Sequence, residues 1–293
     1  MSATLRTPRL LAALALAALT TTACHRQSVT PPVATPSLTI DRTSAALGSP
    51  IELHYHFTVA KDAKFDQNYW VMVHFVNADE ELMWTDDHQP PVPTTQWKPG
   101  QEIDYTRTLF LPVYPYVGQA TVQVGLYSPT TKQRLTLSGT DIGQKAYQVA
   151  RLEILPQTAS VPLDYQSGWN DLETAQGTPA NQWRWTKKNA VITFPNPKRD
   201  ITFYLDLDTG AVFDSQQVTV TAAGQPVTQL TLAANQRELK LIPISAAQLG
   251  TGDTATIGLD VDKTFVPAQI PALHNADPRE LGVRVFHAFV LPR

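Results

Sequence analysis

Along most of the chain, apolar and polar residues alternate with a period of two. Between residues 51 and 59 every odd position is apolar (Ile51, Leu53, Tyr55, Phe57 and Val59), with Glu52, His54, His56 and Thr58 between them. A strand that buries one face has this pattern. Residues 69–76 are almost continuously apolar and read as a central strand. Further strands are predicted at 37–41, 102–111, 119–127, 133–137 and 147–155, separated by turn-forming runs such as Lys98-Pro99-Gly100 and Ser128-Pro129-Thr130. A second set follows at 182–186, 190–194, 201–207, 217–222, 229–233, 238–242, 254–261 and 282–290. Residues 245–249 suit one helical turn, with Ser245 as its N-cap and Gly250 ending it. No apolar stripe of helical period reaches useful length.

These runs predict an all-β chain of two antiparallel β-sandwich domains, the first immunoglobulin-like and the second, with eight strands, jelly-roll-like. The alternation breaks between Pro156 and Gly168, where Pro156 and Pro162 stand among polar residues, so the domains are expected at 38–156 and 165–293. Composition narrows the class. A hydrophobic share of 43% supports a packed core and excludes a disordered chain. Twenty-three prolines with only 17% charged residues argue against a helical bundle. The net charge of −3, with Lys and Arg scattered along the sequence, excludes a nucleic-acid partner. One cysteine, Cys24, allows neither an internal disulfide nor a Cys-based zinc site.

The N-terminus has the three parts of a secretory signal over residues 1–23. Arg6 and Arg9 precede an unbroken Leu/Ala run from Leu10 to Leu19, and Thr20, Thr21, Thr22 and Ala23 lead into Cys24. A membrane-spanning helix needs about 20 apolar residues, so this run is too short to remain as an anchor. Here the sequence resembles a bacterial lipoprotein, whose lipobox places small residues before a cysteine that is lipidated and becomes the new N-terminus. Ala23 and Cys24 match that pattern, while Thr21 stands where the family usually has Leu. The resemblance implies palmitate-type lipidation at Cys24 and membrane attachment through it. His25, rather than Asp, follows the cysteine, which implies sorting to the outer membrane of a Gram-negative cell envelope. Loss of Arg6 and Arg9 would leave a net charge of −5, so the lipid rather than headgroup attraction would hold the protein. Residues 24–37, with Pro31, Pro32 and Pro36, read as an extended tether.

Candidate chemistry is sparse. The chain has no Gly-x-Ser-x-Gly elbow, no His-Glu-x-x-His and no phosphate-binding glycine loop. Glu52, His54 and His56 share a strand face that could hold a metal with His74 or His88, but the same residues suit the wet side of a half-buried strand. Asp86, Asp87 and His88 precede a proline-rich loop and read as loop-ordering groups or ligand contacts. Asp206 with Asp208, and Asp260 with Asp262, alternate with apolar residues; they read as the solvent side of strands, with calcium binding or acid–base chemistry as the functional alternatives. No other cofactor is expected. Trp183 and Trp185 share a face, with Arg184 opposite, and Trp169 lies in a nearby loop. Such aromatics serve either as core or as platforms on which the C–H faces of sugars stack.

A second resemblance concerns the two domains themselves. Val73-His-Phe-Val76, Trp84-Thr-Asp-Asp-His-Gln-Pro90, Trp97-Lys-Pro-Gly100 and Gly125-Leu-Tyr127 look like an immunoglobulin-like module of bacterial envelope proteins. Gly168-Trp-Asn-Asp-Leu-Glu173, Trp183-Arg-Trp-Thr186 and Asp277-Pro-Arg-Glu-Leu-Gly-Val-Arg284 look like another. Modules of this kind accompany membrane glycosyltransferases and polysaccharide-export systems, and the resemblance brings no catalytic residues. It implies a lipid-anchored, non-catalytic envelope protein that binds glycan or assists surface-polysaccharide assembly, with Trp169, Trp183, Arg184 and Trp185 as candidate ligand contacts. Two other readings stand beside it: a scaffold that contacts other envelope proteins through sheet edges, and a carbohydrate-active enzyme with dispersed carboxylates.

Overall fold

The computed structural model describes residues 30–210 and 212–293. The expected signal peptide, the lipidation candidate Cys24 and the first part of the expected tether lie outside the described residues. Eight strands build a first sandwich: β1 (Ala34–Ile40), β2 (Ser44–Ala46), β3 (Pro50–Val59), β4 (Trp70–Val76), β5 (Leu82–Thr85), β6 (Glu102–Phe110), β7 (Gly118–Tyr127) and β8 (Tyr147–Leu155). They form one sheet in the order β1-β3-β6 and another in the order β2-β8-β7-β4-β5. Every pairing is antiparallel except β2 with β8, an immunoglobulin-like arrangement. The alternation in the sequence is the cause. Ile51, Leu53, Tyr55 and Phe57 of β3 meet Val71, Val73 and Phe75 of β4 and Val122, Val124 and Leu126 of β7 in one buried core.

Two local differences from the sequence pattern have physical reasons. Strand β1 begins at Ala34, so residues 34–37, read as tether, are sheet; Ala34, Pro36 and Leu38 turn inward while Thr35, Ser37 and Thr39 face out. Pro36 is tolerated because β1 is the edge of its sheet, where a missing N–H breaks no ladder. Residues 133–137, expected as a strand, divide their backbone bonds between the two sheets. Leu135 N–H donates to Leu126 of β7, whereas the Thr136 carbonyl accepts from Val33 and Ser138 N–H donates to Ala34. A segment strapped across both sheets cannot join either ladder.

The second sandwich contains β9 (Asp164–Tyr165), β10 (Glu173–Ala175), β11 (Thr178–Trp185), β12 (Asn189–Pro195), β13 (Ile201–Asp208), β14 (Ser215–Ala222), β15 (Gln225–Ala233), β16 (Glu238–Ile244), β17 (Thr254–Val261) and β18 (Arg284–Pro292). Its sheets run β10-β11-β18-β13-β16 and β15-β14-β17-β12-β9. Leaving out the short edge strands β9 and β10, the orders β11-β18-β13-β16 and β15-β14-β17-β12 are those of a jelly roll. Ile201, Phe203, Leu205 and Leu207 of β13 pack against Ile192, Val218, Val220, Ile257 and Leu259 of the facing sheet. The single helical turn, α1 (Ala246–Leu249), carries a full capping box between Ser245 and Gln248.

The two cores are separate, yet residues Pro32–Arg293 form one compact unit. The connection between the sandwiches makes a short 3-10 turn at Gln157–Ala159, and Val161 and Leu163 then pack onto the second core. Across the junction the Phe110 ring stacks on His287 at 4.4 Å and meets Tyr204 edge-on. No helix among the described residues is long and apolar enough to cross a membrane.

Candidate functional site

The outer face of the β2-β8-β7-β4-β5 sheet holds a cleft of about 620 Å³. Its floor follows from strand geometry. In β7 the residues Ala120, Val122 and Val124 turn into the core, so Gln119, Thr121 and Gln123 must face outward. Register then sets two cross-strand rows. His74 of β4, Gln123 of β7 and Gln148 of β8 lie side by side, as do Val76, Thr121 and Arg151. All six line the cleft.

Two loops raise its walls. Asn77, Ala78, Glu80 and Leu82 form one side, and Ile142, Gly143, Gln144 and Ala146 the other. Leu82 and Ile142 are 50% and 43% exposed, and both border the polar floor. The second wall is a tight turn: Ala146 N–H donates to the Gly143 carbonyl at 3.1 Å, and the two central residues, Gln144 and Lys145, have φ of 53° and 56°. Two successive left-handed residues suit Asn-Gly, not Gln-Lys, so this turn is strained. Arg134 holds it, since its Nη1 donates to the Gln144 carbonyl at 3.0 Å while Lys145 Nζ donates to the Arg134 carbonyl at 2.7 Å.

Burial lowers the His74 pKa, and the Arg134 charge adds to that, against an opposing pull from Asp87 at 3.9 Å. A neutral imidazole beside three amides and a threonine hydroxyl offers donors and acceptors in nearly equal supply. Vicinal hydroxyls need this mixture, because each is donor and acceptor at once. Sequence reasoning missed the cleft. Its one signal was Gln119-x-Thr121-x-Gln123, an outward row with no charge where a merely solvated strand face usually carries Lys or Glu.

The tryptophans singled out from the sequence lie elsewhere. Trp183 and Trp185 do share a face, in a small cluster with Phe265 and Leu281. Trp185 is buried, with Gly210 against its ring, and Trp183 is half-buried with its indole N–H enclosed. Arg184, on the opposite face, lies over the Tyr165 ring at 5.1 Å. Trp169 is half-buried, meets Tyr165 edge-on and donates through Nε1 to the Val191 carbonyl at 2.9 Å. Among the residues lining the five cavities described, none of these four occurs.

Asp206 and Asp208 require a correction. Alternation places them on the outer side of β13, but they are buried, because β13 lies between β18 and β16 and long side chains cover it. Arg284 grips Asp208 with Nε and Nη2, both at 2.7 Å. Arg237 grips Asp206 in the same way, and His287 Nδ1 lies 3.1 Å from the second oxygen. Asp260 instead accepts from Asn189, and Asp262 from the Gln217 backbone. His56 lies against Asp104 and Glu102 on the exposed face of β3, whereas His74 belongs to the other sheet and His88 is buried against Tyr105. Asp86 pairs with Arg107 and Asp87 accepts from the Val73 N–H, so both order their loop. Among the described residues no three His, Cys, Asp or Glu side chains converge as a metal site.

No family model and no curated protein sequence matches the chain. Among solved structures, the N-terminal tandem CBM22 domain of Xyn10C from Paenibacillus barcinonensis aligns at 8% identity and TM-score 0.30, covering 88% of this chain and 91% of that one. A Bacteroides uniformis beta-glucuronidase aligns at 12% and 0.29 over 88% of this chain, and the secreted serine protease VesC from Vibrio cholerae at 12% and 0.26 over 88%. The chain spans 30% of the glucuronidase and 51% of VesC. Scores at this level join a protease to a glycosidase, and no function passes from them to this chain.

Proposed function

We propose that this chain is a lipid-anchored, non-catalytic protein of the bacterial cell envelope whose first sandwich binds glycan in the cleft. The observation that carries the reading is the cleft floor: His74, Gln119, Thr121, Gln123 and Gln148 on one rigid sheet face, with Leu82 and Ile142 at the walls. Amides and hydroxyls on adjacent strands can bond neighbouring sugar hydroxyls, and aliphatic walls can cover the C–H faces between them. Hydrolysis would need two carboxylates facing across the sugar, whereas Glu80 is the one carboxylate among the lining residues. The envelope address rests on the signal-like N-terminus, the lipobox-like Thr-Thr-Ala-Cys24 and His25.

The binding test is a glycan array probed with the detergent-solubilised full chain, followed by titration of the best binder. Gln123→Leu and Gln148→Leu should each weaken binding by about tenfold or more, because a leucine leaves sugar hydroxyls unpaired. Their thermal midpoints should stay within about 2 °C of the parent, since both side chains face outward. Absence of any glycan binding, or unchanged affinity in both variants, overturns the reading. The anchor is tested separately. Cys24→Ser should move the protein from the membrane to the soluble fraction and abolish incorporation of labelled palmitate; retention on the membrane would exclude the lipid anchor.

A further inference from the structure

The cleft continues into a second cavity, of about 480 Å³, lined by Lys132, Gln133, Arg134, Gln144 and Lys145. Arg134 and Gln144 belong to both. Taken together, the two surfaces carry Lys132, Arg134, Lys145 and Arg151 against a single carboxylate, Glu80. This local excess of three positive charges stands on a chain whose net charge is −3. Proteins usually distribute surface cations among acids, and here none of the four forms an ion pair among the described residues. Lys132 lies over the Tyr127 ring at 5.7 Å, and Arg134 and Lys145 bond backbone carbonyls of each other's segments.

The neighbouring acids are otherwise engaged or lie outside the two surfaces. Asp141 accepts from the Gly143 backbone at the foot of the turn, and Asp87 lies near His74 and caps Val73. Glu153 stands two residues beyond Arg151 on β8, opposite Gln119, and is not part of the lining. The strained Gly143–Ala146 turn brings Lys145 back to the Arg134 backbone, so the fold spends conformational energy to hold like charges side by side. An arrangement that repels itself when empty gains when an anion enters.

Building on the glycan reading, we infer that the ligand is an acidic glycan, a polymer bearing sugar carboxylates, whose uncharged ring atoms lie on the Gln and Thr floor and whose carboxylates lie along Arg151, Arg134, Lys145 and Lys132. Arg151 is the residue for the test, because it is exposed and no structural bond holds it. Arg134 is not, because it supports the turn.

The experiment titrates the full chain with polygalacturonate, alginate and hyaluronate, and with the carboxyl-reduced form of each, which keeps the backbone and removes the charge. At least one acidic polymer should bind about tenfold more tightly than its reduced form, and added salt should weaken it. Arg151→Gln combined with Lys132→Gln should remove most of that difference between each acidic polymer and its reduced form. Polyglutamate, an anion without sugar, should bind far more weakly than the best polyuronate. Equal binding of acidic and reduced polymers overturns the acidic-ligand inference while the glycan reading stands. Equal binding of polyglutamate shows a generic polyanion patch and also overturns it. An undiminished preference in the double variant assigns the charge to another surface. Failure of every glycan, acidic, reduced or arrayed, removes the glycan reading itself.

Discussion

Gly168→Ala should cost the second sandwich more than about 4 kcal/mol, lowering its thermal midpoint by about 10 °C or more. Gly168 has φ +81°, and a Cβ built there would stand 1.7 Å from the Asn189 carbonyl oxygen and 2.7 Å from Ala190 Cα. Both obstacles are backbone, at the start of β12, so no rotamer change relieves them. The same glycine accepts the Lys187 N–H at 2.7 Å, and its neighbour Ser167 accepts from Val191. Pushing the chain away would therefore break the bonds that fasten the 166–169 segment, and Trp169 with it. Gly100→Ala is the control. It also has a positive φ, +75°, but nothing lies within 4 Å of its Cβ, so it should lose only the left-handed preference, about 1 kcal/mol. Melting followed by circular dichroism separates the two. Equal losses in both variants would refute the steric account.

Asp208→Asn should cost about 3 kcal/mol, seen as a lower urea midpoint with little change in slope. Asp208 is 5% exposed, and both of its oxygens are taken by Arg284, with the Gly210 N–H bonding the first at 3.0 Å. An amide replaces one acceptor by a donor directed at the guanidinium. Among the described residues Asp208 is the one side-chain acceptor bonded to Arg284, whose guanidinium otherwise lies over the rings of Trp183, Trp185 and Phe286, 5.4–5.7 Å away. The neighbouring pair adds a pH dependence. Burial raises the Asp206 pKa, but hydrogen bonds and charge from Arg237 and His287 outweigh it and hold the carboxyl below its ordinary value. A carboxyl depressed in the folded state stabilises the fold above its unfolded pKa of about 4 and loses that contribution as pH falls through the folded value. Stability should thus decline in acid, and Asp206→Asn should flatten that decline. A variant with the parent's acid sensitivity would show that other groups govern it.

These two carboxylates show where alternation stops informing. The period of two told correctly that Asp206 and Asp208 point away from the core, and it implied water on the other side. Whether a second layer covers that side depends on which strands flank β13 and on what residues 237, 284, 286 and 287 bring over it, all distant in sequence. His54 and His56 had the same pattern and do face solvent, because β3 is covered on one side alone. Trp185 was readable as either core or platform for a similar reason. Its cluster partners Phe265 and Leu281 come from about 80 and 96 residues further along.

The all-β class, the long strands and the helical turn capped by Ser245 were determined by the sequence alone, since they rest on contacts within a few residues, whereas the short strands β2, β5, β9 and β10 and the strap at 133–137 were not. The jelly-roll order was not, because interleaving alternate strands between two sheets is a property of pairing across the chain. The cleft belongs to the same class. Gln123 becomes a floor residue only when register places it between His74 and Gln148, from strands about 50 residues before and 25 after. Lys132, Arg134, Lys145 and Arg151 read as scattered charges along the chain, and a strained turn and the neighbouring strand bring them together. Local residue patterns specify which face of a strand turns to the core. Curvature, register and charge grouping come from long-range packing, and those decide what the wet faces can bind.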